Sequence, residues 1–281
     1  MGSFRGKVAV VTGAASGIGF ALCERFAAEG MRVVMADVER PALEGAAEAI
    51  RSGGAEVVAV PTDVSLAEEV EALAEKTVRS FGTVDVVCNN AGVAGGVGPV
   101  WERSLEEWQW VFGVNLFGVI HGIRAFVPLM LQQEREGYIV NTASVVGLTS
   151  MGFGGAYGPS KHAVVAVSES LQIELAALGA KLRVAVICPG GARTRIAEAD
   201  RNCPYEAVST PDTPAVREQK RLLRDAISQG TDPAEIANCV VEAMRDGRFY
   251  VLPHPELNRH IAERSENILA GRPPGSAFVL K

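Results

Sequence analysis

The segment AYGPSKHAVV, residues 156–165, holds a tyrosine and a lysine four residues apart. Four residues make about one helical turn, so Tyr157 and Lys161 would share one face of a helix that can begin near Pro159. A free phenol, with a pKa of about 10, is a poor base near neutral pH, but a nearby ammonium favours the phenolate. The pair is therefore either a general base with the cation that tunes it, or an ordinary pair on a surface helix.

Ser144 bears on this choice because it ends the apolar run 137–144, thirteen residues before Tyr157. If a strand ends there and a helix begins at the tyrosine, both side chains lie at one edge of a sheet. Removing hydride from a carbinol requires a base at the hydroxyl oxygen, and a serine hydroxyl can hydrogen-bond that oxygen as its charge changes. Ser144, Tyr157 and Lys161 are therefore candidate catalytic residues for an alcohol–ketone interconversion with hydride transfer to a nicotinamide.

A glycine-rich turn, TGAASGIG at residues 12–19, follows the first apolar run. Its glycines would let the backbone turn tightly and approach a pyrophosphate, whose charge the N-terminus of the next helix favours. The spacing is Gly-x-x-x-Gly-x-Gly rather than Gly-x-Gly-x-x-Gly, and a plain strand-to-helix turn is the alternative. The predicted cofactor contacts in this turn are Gly13, Ser16, Gly17, Ile18 and Gly19.

Asp37 ends the second apolar run, in the place where an acidic residue binds ribose hydroxyls. A carboxylate there repels a 2′-phosphate by roughly 4 kcal/mol for unit charges about 4 Å apart at an effective dielectric of about 20. Neither Ser16 nor Val38 supplies a compensating cation, although Arg40 is close in sequence. The pattern favours NAD over NADP; an aspartate that caps the next helix is a compatible alternative.

Two further polar segments, TDV at 62–64 and NNAG at 89–92, also end predicted strands. The carboxyl edge of an open α/β sheet is where ligands bind, although such residues are more often simple turn formers. Asp63 could hydrogen-bond an adenine amino group and Asn90 could line the cofactor. The predicted contacts here are Asp63, Val64, Asn90, Ala91 and Gly92.

Short apolar runs alternate along the chain with longer helical patterns, which predicts a parallel sheet with right-handed crossovers. The runs are continuous rather than alternating, as expected for strands buried on both faces. The fold class is therefore α/β, a doubly wound parallel sheet of the Rossmann type in a single domain, residues 1–281. Strands are predicted at 7–12, 32–37, 56–63, 84–92, 137–144 and 182–190, with a last one near 249–253, and long helices at 17–30, 104–134 and 157–178.

The segment 195–230 is polar, is interrupted by prolines and breaks the strand rhythm. Thr213 before Pro214 predicts a helix start, so we expect a helical lid that covers a site. The tail, 255–281, is expected to lie on the surface or on a neighbouring subunit. Together, the segments 92–101 and 145–155 and the lid offer Val, Leu, Met, Phe and Trp side chains with few fixed charges. This favours an apolar, cyclic or aromatic secondary alcohol as substrate, and the alternative is that these side chains only pack. His254 and the tryptophans are interpreted as structural.

Composition excludes several other classes of protein. With 48% hydrophobic residues, a net charge of −6 and scattered basic residues, no nucleic-acid surface is expected. The five cysteines are widely spread and predict neither disulfides nor a metal site. The apolar stretch 111–131 is interrupted by Asn115, His121 and Arg124, so no membrane span is predicted. The N-terminal residues lack a signal-peptide pattern, and a cytoplasmic location is expected.

Taken in order, TGAASGIG, NNAG, Asn115, Ser144 and YGPSK resemble the motifs of the short-chain dehydrogenase/reductase family over about residues 5–255. The resemblance implies that Tyr157 is the acid/base, that Ser144 positions the reacting oxygen, and that Lys161 lowers the tyrosine pKa and binds ribose. It adds Asn115, which would hold a water in a proton relay through the lysine. It also implies a homotetramer or homodimer formed through the helices at 104–134 and 157–178.

The same resemblance covers PGGART, residues 189–194, and adds Pro189, Gly190 and Thr194 to the predicted cofactor contacts, with Thr194 binding the carboxamide. Tyr157 and Lys161 are counted among these contacts as well. The nearest alternative to an NAD-dependent alcohol oxidoreductase is an NADP-preferring carbonyl reductase. A catalytically silent NAD-binding regulatory protein is a second alternative, but all four residues of the Asn–Ser–Tyr–Lys set are present.

Overall fold

The computed structural model describes residues 3–205 and 213–275. Within these residues, seven strands form one sheet in the order β3-β2-β1-β4-β5-β6-β7, and every neighbouring pair is parallel. The predicted fold class, a doubly wound α/β domain, is confirmed. The strands are β1 Val8–Thr12, β2 Arg32–Asp37, β3 Val57–Pro61, β4 Val86–Asn89, β5 Gly137–Thr142, β6 Leu182–Ile187 and β7 Tyr250–Val251.

Helices cover both faces of the sheet. The α-helices of the described residues are α1 Gly17–Ala28, α2 Arg40–Ser52, α3 Ala67–Phe81, α4 Leu105–Phe112, α5 Gly118–Gln132, α6 Tyr157–Ala177, α7 Pro214–Ser228, α8 Pro233–Asp246 and α9 Asn258–Leu269. Buried side chains of α1, α2 and α8 pack on one face, and those of α3, α5 and α6 pack on the other.

Strand β1 shows why continuous apolar runs form this sheet. Its five residues, VAVVT, are all buried. Val8 and Val10 belong to the cluster under α3 and α5, whereas Ala9 and Val11 belong to the cluster under α1 and α8. Side chains of a strand alternate between faces, so a strand between two helical layers needs apolar residues at both parities.

The predicted helix at 104–134 is divided in the structure. Helix α4 ends at Phe112, a single wide turn of π-helix covers Gly113–Phe117, and α5 follows. By length and composition, the stretch Leu105–Gln132 could cross a membrane, since an 18-residue window in it has a mean hydropathy of 1.6. Part of this window is buried, and Phe126 and Met130 pack against the sheet.

The lid segment contains the helix that its sequence predicts. Helix α7 begins at Pro214, and the Thr213 hydroxyl caps it by accepting a hydrogen bond from the Val216 N–H at 3.2 Å. Before it, a short 3₁₀ segment, Ile196–Asn202, follows the loop after β6; we call this segment the strap. The rest of the predicted lid, residues 206–212, lies outside the described residues. The tail contains α9, and its residues 276–281 also lie outside them.

Candidate active site

A large cavity of about 580 Å³ lies at the carboxyl edge of the sheet. The strand order reverses at β1, which pairs with β2 on one side and β4 on the other, so the loops after these strands diverge and leave a crevice. Of the candidate catalytic residues, Ser144, Tyr157 and Lys161 line the cavity. Asn115 does not line it and lies fully buried behind it.

The glycine turn forms one wall of this cavity. Gly13 and Gly17 have φ values of +65° and +56°, which side chains rarely adopt. A Cβ on Gly13 would lie 2.8 Å from the Ala91 Cα, and one on Gly17 would lie 2.9 Å from the Thr194 Cγ2. Helix α1 begins at Gly17, and its cap residue Ser16 makes no side-chain cap, so the N–H groups of the first turn face the cavity mouth. This cradle fits a pyrophosphate.

Gly19 has a packing role in this structure. It does not line the cavity, and it is buried. A Cβ at Gly19 would lie 2.0 Å from the Gly13 carbonyl oxygen and 2.6 Å from the Asn90 Nδ2. The third glycine of the motif therefore lets α1 pack against the turn; that it also contacts the cofactor remains a prediction.

The carboxylate of Asp37 is held at the rim of the cavity by two backbone groups. Its Oδ2 accepts a hydrogen bond from the Ala15 N–H and its Oδ1 accepts one from the Glu39 N–H, both at 3.0 Å. These bonds fix the direction of the carboxylate and leave it further lone pairs for ribose hydroxyls. The predicted turn role and the predicted ribose site are thus geometrically compatible.

A cation also lies in this part of the cavity wall, from a segment remote in sequence. Arg201 of the strap donates from Nε and Nη2 to the Glu39 Oε1, at 2.9 and 2.5 Å. The guanidinium holds the pKa of the Glu39 carboxyl below its ordinary value. The sequence indicates only Arg40 as a cation near Asp37, because no local pattern shows that Arg201 lies beside the end of β2.

Asn90 and Asp63 line the cavity, but both are engaged in local structure. The Asn90 Nδ2 donates to the Thr12 carbonyl oxygen at 3.0 Å, and its Oδ1 accepts from the Thr142 hydroxyl at 3.2 Å, which joins β1, β4 and β5. The Asp63 Oδ1 accepts from both the N–H and the hydroxyl of Ser65. Val64, Ala91 and Gly92 lie beside them in the wall, as predicted.

Lys161 is the most deeply buried charge of the site. Helix α6 begins at Tyr157, and the lysine one turn later is only 2% exposed. Its Nζ lies 5.7 Å from the centre of the Tyr157 ring and donates to the Thr142 carbonyl oxygen at 2.9 Å. Burial lowers the pKa of the lysine to about 8, because the charged form loses its hydration.

The pKa of Tyr157 shifts in the direction opposite to the one expected. Burial of the phenol raises its pKa, and a hydrogen bond with the Ser144 hydroxyl partly opposes this rise. The Lys161 ammonium donates to the Thr142 carbonyl oxygen rather than to the phenol. Ser144 and Tyr157 nonetheless line the same cavity, as the position of both at the carboxyl edge of the sheet predicts.

Asn115 lies in the π-helical turn, and both polar atoms of its side chain form hydrogen bonds. Its Oδ1 accepts from the Val93 N–H at 2.8 Å, and its Nδ2 donates to the Val93 carbonyl oxygen and to the Ser160 hydroxyl at 3.0 Å. A Cβ placed on Gly92 would lie 3.4 Å from both the Asn115 Oδ1 and the Lys161 Nζ. The asparagine therefore ties the loop after β4 to α6, close to the lysine; the water relay remains a prediction.

The loop after β6 forms the opposite wall. The Pro189 carbonyl oxygen accepts hydrogen bonds from the Val145 N–H at 2.9 Å and the Ser144 hydroxyl at 3.2 Å. Pro189, Gly190 and Thr194, the predicted cofactor contacts of this loop, line the cavity. The Gly190 N–H donates to the Nδ1 of His254. From the sequence alone, His254 is interpreted as a structural residue. Its approach depends on the pairing of β6 and β7, which no local motif indicates.

The outer part of the cavity is mostly apolar, in agreement with the predicted character of the substrate pocket. Trp110, from α4, lines it although the tryptophans were interpreted as structural, whereas Trp101 is 84% exposed and lies outside it. Gln219 is a buried polar exception on the lid helix. Apolar side chains that line this part are Val93, Val97, Val114, Met151, Ile196, Leu222, Leu223 and Ile227.

An open parallel sheet, a glycine cradle at its switch point and a serine–tyrosine–lysine set at the same edge define the class of dinucleotide-dependent oxidoreductases. Comparison with known proteins gives the family. A family model described as short chain dehydrogenase matches residues 7–203. The chain belongs to the short-chain dehydrogenase/reductase family, whose members act on CH–OH groups.

Relatives in this family match along nearly the whole chain. The 1-deoxy-11-beta-hydroxypentalenate dehydrogenase of Streptomyces arenae is 39% identical over 265 residues, covering 93% of this chain and 87% of the relative. The CLA biosynthesis dehydrogenase/reductase of Lactiplantibacillus plantarum is 32% identical over 279 residues, covering 98% and 97%. The crystal structure of a family member from Burkholderia phymatum in complex with NAD is similar with a TM-score of 0.95 and 42% identity, covering 100% of both chains.

Proposed function

We propose that this protein is an NAD-dependent oxidoreductase that interconverts a secondary alcohol and a ketone. The observation that carries the proposal is that Ser144, Tyr157 and Lys161 line one wall of the large cavity, with the Lys161 Nζ 5.7 Å from the centre of the Tyr157 ring. This arrangement supports proton transfer at a carbinol oxygen, which is the step that the protein must supply.

In this mechanism the bound nicotinamide supplies or accepts the hydride. The Ser144 hydroxyl, which donates to the Pro189 carbonyl in this structure, would turn its one proton to the substrate oxygen and orient that oxygen toward Tyr157. The phenolic oxygen takes the hydroxyl proton during oxidation and returns it during reduction. Lys161 holds positive charge beside the phenol, which favours the phenolate as the proton leaves. Asn115 keeps the wall around the lysine in place through its bonds to Val93 and Ser160.

The choice of NAD is supported by the orientation of Asp37 and by the NAD that the similar Burkholderia phymatum structure holds. The cradle of Gly13, Gly17 and the start of α1 would receive the pyrophosphate, and Asp37 the adenosine ribose. An NADP-preferring carbonyl reductase is the second candidate, and Arg201 is the observation that favours it. We prefer NAD because the charge of Arg201 is already neutralised by Glu39.

The apolar lining supports a hydrophobic secondary alcohol, cyclic or aromatic, as substrate. The relatives named above as dehydrogenases support an alcohol as the reduced form. We further propose a single catalytic domain in which residues 195–230 cover the substrate, a cytoplasmic location and a homotetramer or homodimer. The exposed apolar residues Phe117 and Ile173, on the outer faces of the helical layer, support such an interface. A silent regulatory protein is the remaining alternative.

The test is Tyr157→Phe, measured on a panel of hydrophobic alcohols by NADH absorbance. We expect loss of turnover by at least about 100-fold, because general acid–base groups contribute about 10² to 10⁴. Quenching of protein fluorescence should show NADH binding within about twofold of the wild type. Tyr250→Phe, on β7 and bonded to Glu169, is the matched control. Full activity in Tyr157→Phe would contradict the mechanism, and absence of NADH binding to the wild type would contradict the function.

A further inference from the structure

The strand pairing at the edge of the sheet brings a histidine from the end of the chain to the loop after β6. In the parallel register of β6 and β7, Ile187 lies beside Val251. Gly190 and His254 each follow three residues after these partners, so they emerge together at the carboxyl edge. His254 is 9% exposed, and its ring lies against the Gly190 backbone, where a Cβ would be 3.1 Å from the His254 Cγ.

The hydrogen bonds of this histidine determine its tautomer. A backbone N–H can only donate, so the Nδ1 that receives the Gly190 N–H at 2.9 Å carries no proton. The ring is therefore neutral, with its proton on Nε2. That nitrogen lies 2.9 Å from the Thr231 hydroxyl oxygen and 3.2 Å from the Gly191 carbonyl oxygen, which are both available acceptors. The ring is held at both nitrogens.

The peptide that His254 holds is the one that contacts the catalytic serine. The Gly190 N–H and the Pro189 C=O belong to one planar peptide unit, in which the two groups point in opposite directions. The carbonyl oxygen accepts from the Ser144 hydroxyl at 3.2 Å and from the Val145 N–H at 2.9 Å. A rotation of this plane would move the bond to His254 and the bond to Ser144 together.

We propose that His254 is a positioning residue for Ser144, acting through the Pro189–Gly190 peptide plane. The inference rests on the proposed function, because it assigns Ser144 to the reacting oxygen. His254 fixes the tilt of the plane, and the Pro189 carbonyl then sets where the serine hydroxyl points. The same plane forms part of the cavity wall, so its tilt also fixes the surface on which the cofactor would rest.

The other contacts around the Pro189–Gly190 peptide fix its backbone by packing and offer few other hydrogen-bond partners. A Cβ on Gly190 would lie 2.7 Å from the Leu257 Cδ1, so the backbone is packed closely against the segment that follows His254. The next residue is also fixed, because the Gly191 carbonyl accepts from the Thr231 N–H at 2.9 Å. Leu257 supplies packing but no acceptor for the Gly190 N–H. Of the contacts described here, the histidine ring alone receives that group.

Three substitutions of His254 separate positioning from packing. His254→Asn offers an amide oxygen at about the place of Nδ1 and can still accept from Gly190. His254→Gln extends past that place toward Thr231, and His254→Leu retains apolar volume without an acceptor. We expect kcat to fall about 10- to 100-fold in His254→Leu, since small misplacements of reacting groups have effects of this size, and to recover in His254→Asn more than in His254→Gln. KM for the alcohol should change less than about threefold.

A second measurement needs neither substrate nor cofactor. In the protein alone, ¹⁵N NMR of His254 should show a protonated Nε2 and an unprotonated Nδ1. The Gly190 amide should exchange with solvent faster in His254→Leu than in the wild type or His254→Asn. His260→Asn on α9, a histidine remote from the cavity, is the matched control and should change neither measurement.

Coupling to Ser144 gives the decisive comparison. If His254 acts through the serine, His254→Leu should have little further effect on kcat in a Ser144→Ala background. Equal loss in both backgrounds, or a His254→Leu protein with unchanged kcat and a freely exchanging Gly190 amide, would overturn the proposal while the function stands. A Tyr157→Phe protein with full activity would instead overturn the function, and the NMR measurements would still report whether the histidine holds the peptide.

Discussion

Lys161 shows how a residue needed for chemistry can oppose stability. An ammonium that is 2% exposed has lost most of its hydration, and one bond to the Thr142 carbonyl compensates only in part. Burial lowers its pKa from 10.5 to about 8. The unfolded chain therefore binds this proton more tightly than the folded protein. The resulting loss of stability is complete below about pH 8 and disappears as the pH rises toward 10.5.

Lys161→Met should accordingly be more stable than the wild type at pH 7, while losing catalytic activity. A shift of this size corresponds to about 3 kcal/mol, from which the lost hydrogen bond subtracts about 1 kcal/mol, leaving a gain of about 2 kcal/mol. Urea unfolding measured at pH 7 and again near pH 10.5 checks the sign, because the difference between the two proteins should shrink at the higher pH. Lys76→Met, on the exposed face of α3, serves as the control. Equal stability of Lys161→Met and the wild type at pH 7 would refute this account.

At the scale of the elements, a buried ion pair joins the two loops that border the substrate side of the cavity. The Arg103 Nη1 lies 3.2 Å from the Glu107 Oε2, and both side chains are buried. The other oxygen, Oε1, accepts from the Gly96 N–H at 3.0 Å in the loop after β4. The arginine side chain packs under Gly155, in the loop after β5. The loops also meet directly, where the Gly98 N–H donates to the Phe153 carbonyl at 2.9 Å.

Removing one member of this pair should be much more harmful than removing both. Glu107→Ala removes a carboxylate from the buried guanidinium and the acceptor of the Gly96 N–H, and we expect a loss of up to about 3 kcal/mol in the free energy of unfolding. The double variant Arg103→Met with Glu107→Leu should recover most of that loss. Urea unfolding of the single, the double and the exposed neighbour Glu106→Ala tests this order. A double variant less stable than Glu107→Ala would show that the pair is not the reason for the loss.

The sequence predicts the sheet and helices well because their signals are local. Continuous apolar runs, the Thr213–Pro214 start of α7 and the spacing of Tyr157 and Lys161 are each confirmed in position. The surroundings of Gly19, Arg201 and His254 could not be predicted, because they come from other elements. Arg201 meets a carboxylate 162 residues earlier, and His254 depends on the register of β7. The pKa of Tyr157 also depends on burial, which spacing does not report.

At the scale of the whole molecule, the strap spans the cavity from the β6 side to the β2 side. The Arg201 Nη1 donates to the Glu198 carbonyl at 2.8 Å within the strap, while Nε and Nη2 bind Glu39 at the start of α2. In the sheet, β1, β4 and β5 separate the two strands from which these residues follow. Asn202 adds a third donor to the same Glu39 oxygen, at 3.0 Å. We call these bonds of Arg201 and Asn202 to Glu39 the clasp. The clasp lies beside the adenosine end of the proposed NAD site.

Breaking this clasp should speed the release of NADH. Arg201→Glu or Glu39→Arg should raise the dissociation rate by about twofold to fivefold, since a partly exposed ion pair contributes up to about 1 kcal/mol. Stopped-flow fluorescence during displacement by excess NAD measures that rate. The double exchange should restore part of the wild-type rate, and added salt should reduce the difference between wild type and single variants. Arg248→Glu, which breaks the exposed pair of Arg248 with Asp246, should leave the rate unchanged. Equal dissociation rates in all five proteins would show that the clasp does not slow the release of NADH.

The position of β7 has a consequence for the order in which the molecule can assemble. This two-residue strand is the last of the sheet to leave the ribosome, and it forms parallel pairs only with β6, more than 60 residues earlier. Parallel pairing across such distances is slow. A nascent or refolding chain can thus form most of its helices before β7 pairs with β6. Until then, the cavity wall at Ser144 and Gly190 is incomplete. Recovery of enzymatic competence should then lag behind circular dichroism, and a protein that ends before residue 250 should fold most of its sheet without maturing into a working enzyme.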